Sequence, residues 1–101
     1  MDFTFTGAVV EWRGPAPFYF LEVPVDVSDD IKEAARGLEY WGQVAVEVRV
    51  GDTRFTTALF PKDGRYLVPL KVAVRTAAGI ELGQELTVGL QVAGLSGRDA
   101  P

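Results

Sequence analysis

The chain gives the same series of local signals twice, and this internal repetition limits its fold more than any other feature. The first copy spans residues 3–50. It reads as strand Phe3–Trp12, the loop Arg13-Gly14-Pro15-Ala16-Pro17, strand Phe18–Val23, Pro24, a helix over Asp29–Arg36, then Gly42-Gln43 opening strand Val44–Val50. The second copy spans residues 53–92, with strand Thr53–Phe60, the turn Pro61-Lys62-Asp63-Gly64, strand Arg65–Val68, Pro69, a helix over Lys71–Ala78, and Gly83-Gln84 opening strand Glu85–Val92. Pro24 matches Pro69 and Gly42-Gln43 matches Gly83-Gln84, a repeat of pattern rather than of letters.

One three-stranded unit leaves its edges and one face exposed, whereas two units joined in one chain hide both. The expected fold is therefore mostly β: a closed or split six-stranded β-barrel from two pseudo-twofold β-β-α-β repeats, with two short helices. Residues 1–93 form its single domain, and 94–101, which carry no periodicity, form a flexible tail.

The strands follow from period-two alternation. Val44, Val46, Val48 and Val50 alternate with Gln43, Ala45, Glu47 and Arg49, and Leu86, Val88, Leu90 and Val92 alternate with Glu85, Thr87, Gly89 and Gln91. Gly51-Asp52 between alternating runs predicts a two-residue hairpin. Pro61-Lys62-Asp63-Gly64 predicts a type I turn closed by a left-handed glycine. Pro24 and Pro69 are expected to stop the strands before them. Ser28 suits the N-cap of the first helix, with Asp29 and Asp30 in the first turn. Val27, Ile31, Ala35 and Leu38 would form its buried stripe and Gly37 its C′ residue. In the second helix Leu70, Val74 and Ala77 take the buried role, and Gly79 ends it.

Composition removes whole classes of chemistry. Among 101 residues there is no cysteine and no histidine. Disulfides, thiolate nucleophiles, zinc-thiolate sites and the commonest general base are therefore absent, and Ser-His-Asp or Cys-His hydrolysis is excluded. The chain is expected not to be an enzyme and to need no cofactor or metal. The first residues lack the basic and apolar regions of a signal peptide, and no apolar run approaches a membrane span, so a cytoplasmic, non-membrane protein is expected.

The net charge of −4 disfavours nucleic acid overall. Between Gly51 and Ala78, however, Arg54, Lys62, Arg65, Lys71 and Arg75 face only Asp52 and Asp63. Lys71 and Arg75 share a helical face, and Lys62 lies in the turn feeding that helix. Such a cluster suits a phosphate or carboxylate, against the alternative of a solvated surface neutralised by neighbouring acids. Trp12, Phe18, Tyr19, Trp41, Phe60 and Tyr66 form an aromatic group that either lines a pocket mouth or plugs the barrel as core. The acid pairs Asp29/Asp30 and Glu81/Glu85 are better explained by helix capping and an exposed strand than by catalysis. The candidate ligand-binding set is Trp12, Arg13, Trp41, Lys62, Lys71 and Arg75, with Lys62, Lys71 and Arg75 expected to converge near Trp12 or Trp41. The expected partner is a small anionic ligand or a protein. A lysine-dependent enzyme would need a buried lysine. Both a monomer and a homodimer are compatible with the pattern.

Gly64-Arg65-Tyr66-Leu67-Val68-Pro69, Arg75, Ala78-Gly79-Ile80 and Gly83-Gln84-Glu85-Leu86 together resemble the swapped-hairpin pattern of the AbrB, MazE and MraZ transcription factors. Those proteins build a double-split barrel from two chains. The resemblance implies that one chain here does so from two halves, and it carries a DNA-binding alternative by analogy alone. The whole chain is more similar to the family called domain of unknown function 1905. The matching residues are Phe5-Thr6-Gly7, Trp12-Arg13-Gly14-Pro15-Ala16-Pro17, Val23-Pro24, Trp41-Gly42, Leu59-Phe60-Pro61-Lys62-Asp63-Gly64, Tyr66, Pro69, Lys71, Val74-Arg75 and Gly79. That resemblance spans about residues 3–92. It implies a small bacterial barrel, sometimes fused to a bacteriocin-protection type domain, with no established activity.

Overall fold

The computed structural model describes residues 2–12, 18–39 and 43–93. Arg13, Trp41 and the C-terminal segment 94–101 lie outside the described residues. The elements run β1 (Asp2–Trp12), β2 (Phe18–Glu22), α1 (Val25–Ala34), β3 (Val44–Val50), β4 (Thr53–Lys62), β5 (Arg65–Leu70), α2 (Val72–Ala78) and β6 (Glu85–Val92). All six strands are antiparallel to their neighbours and close in the order β1-β2-β5-β4-β3-β6. Closure removes the unpaired strand edges that either half would leave.

Exchanging β1 with β4, β2 with β5 and β3 with β6 returns the same ring. If Pro24 is laid on Pro69, the pair registers place Val44, Val46, Val48 and Val50 on Leu86, Val88, Leu90 and Val92. These are the two apolar faces read from the sequence. The match runs one residue out of step with the Gly-Gln alignment, because Val44 already faces the core whereas Glu85 is exposed. Phe5, Val9, Leu21, Leu59, Val68, Val88, Leu90 and the β3 valines fill the interior.

The two long strands each serve two partners in succession. β1 pairs with β6 through residues 2–8 and with β2 through residues 9–12. β4 pairs with β3 through residues 53–59 and with β5 through residues 60–62. At the changeover in β1 sits Gly7, where any Cβ would collide with the Glu22 carbonyl oxygen. Helix α1 packs against β5 and β1, and α2 against β4.

Several local expectations need correction. The β4–β5 connection is a two-residue hairpin with Lys62 opposite Arg65, and both Asp63 (φ 53°) and Gly64 (φ 82°) are left-handed. That is the type I′ pattern, whose twist matches the flanking strands as a type I turn does not. Pro61 and Lys62 accordingly belong to β4.

Pro69 lies inside β5, opposite Phe20, rather than ending the strand before it. Val23 N–H donates to Tyr66 O, so by antiparallel alternation Phe20 and Pro69 form a non-hydrogen-bonded pair. The Pro69 nitrogen therefore points away from β2, past the end of the β4 pairing at Leu67, and no ladder bond is lost.

Helix α1 begins at Val25 with Pro24 at its N-cap, four residues before the expected start. Ser28 is thus inside the helix and buried, and its hydroxyl makes other bonds. Tyr66 N–H donates to Ser28 Oγ (3.0 Å), and Ser28 Oγ–H donates to Val23 O (3.2 Å). The hydroxyl splices the β2–β5 ladder where the chain turns from strand into helix. Ile31 and Ala35 are buried as expected, but Leu38 is exposed because the helix has ended. In α2, Ala77 is exposed and Ala78 packs on the core instead, while Gly79 ends the helix at φ 67° as expected.

Candidate functional site

The outer face of the β1-β2-β5-β4 ladder carries a second apolar cluster, separate from the core. Along β2, Leu21 points inward, so Phe18, Phe20 and Glu22 point outward. Likewise Leu59 points inward and Phe60 outward, and Val68 inward and Leu67 outward. Phe20 and Leu67 are buried, yet neither belongs to the core cluster.

Phe20 stacks on Phe60 at 6.1 Å between ring centroids, and Trp12 leans on both, at 5.9 Å from Phe20 and 6.1 Å from Phe60. Phe18 sits 6.4 Å from Phe20. Each such aromatic pair contributes about 0.5–1.5 kcal/mol beyond the burial of its surface. Trp12 remains 43% exposed and Phe18 60% exposed, so the cluster presents ring faces to solvent.

Charge rims these rings. The Lys62 ammonium lies 4.8 Å from the centroid of Trp12, a cation–π contact, and 3.6 Å from the Asp63 carboxylate. Arg65 pairs with Glu22 at 3.3 Å. Val10, Trp12, Phe20 and Leu67 line a groove of about 330 Å³ along this face, together with the cations Lys62 and Arg65 and the carboxylates Glu11, Glu22 and Asp63.

On the other side of the same hairpin, a cleft of about 550 Å³ separates it from α1. Asp29, Lys32, Glu39, Lys62, Arg65 and Tyr66 contribute to its walls. Burial, and secondly the nearby Glu39 carboxylate, hold the Tyr66 phenol above its ordinary value of 10.0, so at neutral pH it is a hydrogen-bond donor. The hairpin tip is the wall shared by both concavities.

The expected convergence of cations is only partly realised. Lys62 meets Trp12, but Lys71 and Arg75 lie beyond the far end of β5. Arg65 and Leu70 bound that strand, and five steps of about 3.3 Å separate them by roughly 16 Å. Lys71 is exposed at the start of α2. Arg75 is a structural tie: its guanidinium stacks 4.0 Å from the centroid of Tyr19, and its Nε–H donates to Leu70 O at 3.2 Å.

Sequence reasoning also merged two aromatic faces. Tyr66 belongs to the core and Tyr19 packs against it, whereas Trp12, Phe18 and Phe60 are outside. Phe20 was missing from the group. Phe18-Tyr19-Phe20-Leu21 is apolar in both phases, so alternation alone does not assign its faces. The partner strand supplies the signal: Leu21 opposite Val68 fixes the inward phase.

The family model described as domain of unknown function (DUF1905) matches residues 5–90. The chain belongs to this family. The match takes in every strand that forms the aromatic face and the whole Lys62–Arg65 hairpin of this family member. No curated protein matches the chain.

Proposed function

We propose that this domain is a non-catalytic binding module whose ligand seats at the β4–β5 hairpin, on the groove floored by Trp12 and Phe20. The observation that carries the reading is the Trp12–Lys62 contact: an exposed ring face and an ammonium group meet at one concave spot. A small molecule with a flat apolar part and an acidic group fits it, the ring on Trp12 and the acid on Lys62. Concavities of 330 and 550 Å³ lie in the range that holds small molecules. The lack of histidine and cysteine supports binding over catalysis. A protein partner is the second reading, favoured by the exposure of Phe18 beside Trp12. Binding to nucleic acid is less well supported, because the net charge is −4 and Arg36, Arg49, Arg54 and Arg65 each lie within 4.0 Å of an acid.

Thermal-shift screening of aromatic carboxylates and phosphates tests the reading, because a ligand above its dissociation constant stabilises the folded state. Compounds that raise the midpoint of the natural chain should fail to do so for Trp12→Ala and Lys62→Ala. Hits that survive both substitutions place the site elsewhere. If no compound shifts the midpoint, the small-ligand reading fails and the protein-partner reading takes its place.

A further inference from the structure

The ladder pattern shows how the two halves of the chain depend on each other. Among the described residues of the first half, up to Val50, only β1 and β2 pair with one another. Strand β3 pairs with β4 and β6, both from the second half. Strand β6 pairs with β1 and β3, both from the first half. β2 and β5 also meet across the halves. Each half therefore leaves its last strand without a partner until the other half arrives.

Only the Gly51-Asp52 turn joins them. Val50 stands opposite Thr53, so the loop has two residues, with Gly51 at φ 57° and both residues exposed. The β3–β4 register is centred on that turn. If the turn opens, Gly51 and Asp52 become a hinge and β4 no longer folds back on β3 of its own chain. A second opened copy can then supply the same partners, Val50 of one chain opposite Thr53 of the other. Both residues face the core, so the hinge turns the strand over between them instead of continuing its pleat.

We infer that the barrel is an interlocked pair of half-chains held in one molecule by the Gly51-Asp52 turn, and that a second copy of this chain fits the same surfaces by exchanging halves. The product is a dimer of two barrels, each built from the first half of one chain and the second half of the other. Its contacts equal those of the monomer, so the turn decides between them. A two-residue linker gives an effective concentration of roughly millimolar or more, and the closed single chain is the resting form in dilute solution. Opening or shortening the turn removes that advantage, which is the general route to swapped dimers.

Removing Asp52 alone tests this. With one residue left between them, Val50 and Thr53 stand two positions apart in an extended chain and so keep the inward face they share in the barrel, while a single residue is too short to close a two-residue hairpin. The deleted chain should elute at twice the mass of the natural chain, with the same far-ultraviolet spectrum and a cooperative melt. A monomer with that spectrum would overturn the inference.

Exchange itself is read by crosslinking, because the natural chain has no cysteine. Thr6 and Thr87 are opposite each other on β1 and β6, exposed, with hydroxyls 2.7 Å apart. Val9 N–H donates to Gln84 O, so by alternation Thr6 and Thr87 form a non-hydrogen-bonded pair, the closer kind. Thr6→Cys chains and Thr87→Cys chains, both carrying the deletion, are mixed unfolded, refolded and oxidised. About half of the dimers should contain one chain of each kind and become linked by a disulfide between the two introduced thiols. A dimer fraction without that link means side-by-side association and refutes exchange.

The same two single variants in the full-length chain, refolded together at about 1 mM, keep the question independent of the deletion. A linked pair there supports exchange even if the deleted chain does not fold. Its absence, with the deleted chain unfolded, overturns the inference.

Discussion

Replacing Ser28 with alanine removes one oxygen and tests the junction between the barrel and its first helix. The Ser28 hydroxyl receives the Tyr66 N–H and gives its own proton to Val23 O, inside a buried environment. Without it the Tyr66 amide has no acceptor in reach, and a buried orphaned donor costs about 1–3 kcal/mol. The void left by an oxygen atom is too small to hold a replacement water. We expect a loss near 2 kcal/mol. For a chain of this size urea slopes are about 1–3 kcal/mol/M, so the unfolding midpoint should fall by roughly 1 M with an unchanged slope. Amide exchange followed by nuclear magnetic resonance should show the Tyr66 N–H losing protection ahead of Leu21 and Val68, which keep their ladder. A loss below about 0.5 kcal/mol with Tyr66 still protected would mean that its N–H closes directly onto Val23 O. The splice would then be dispensable and the reasoning wrong.

Gly7→Ala should cost about 3 kcal/mol or prevent folding, because its methyl meets the rigid Glu22 carbonyl. Gly89→Ala should cost clearly less, because there the methyl meets only the mobile end of Arg49, and thermal midpoints of the two variants rank them. Stability should also fall as pH rises beyond 10.0. There the unfolded Tyr66 phenol ionises while the folded one, raised by burial and Glu39, still holds its proton. Urea unfolding at pH 9 and pH 11 measures this, and Tyr66→Phe should flatten the dependence.

The strands were legible because their causes are local. Val44 to Val50 and Leu86 to Val92 declare their inward faces by alternation, and those faces do pack together in the core. Gly51-Asp52 declares its turn in the same way. What the sequence hides is set at a distance. Ser28 looks like a cap, since serine favours helix starts, but an amide 38 residues away claims its hydroxyl. Pro69 looks like a strand terminator, yet a proline is harmless where the neighbouring strand has already left. The site was half readable. Lys62 and Trp12 are 50 positions apart in the chain, on strands that do not pair with each other, so no local pattern announces their meeting. Lys71 and Arg75 were grouped with Lys62 by sequence proximity, but the Arg75 guanidinium is held by the Tyr19 ring and Leu70 O.

Everything rests on the two cross-half ladders, β2 with β5 and β3 with β6. Alternation makes Glu22–Leu67 and Val48–Leu90 non-hydrogen-bonded pairs, whose α-protons lie close together. A nuclear Overhauser spectrum of the natural chain should contain strong α-proton cross-peaks for both pairs. Their absence, with cross-peaks only inside β1–β2 and β4–β5, would describe two separate hairpins and contradict the barrel.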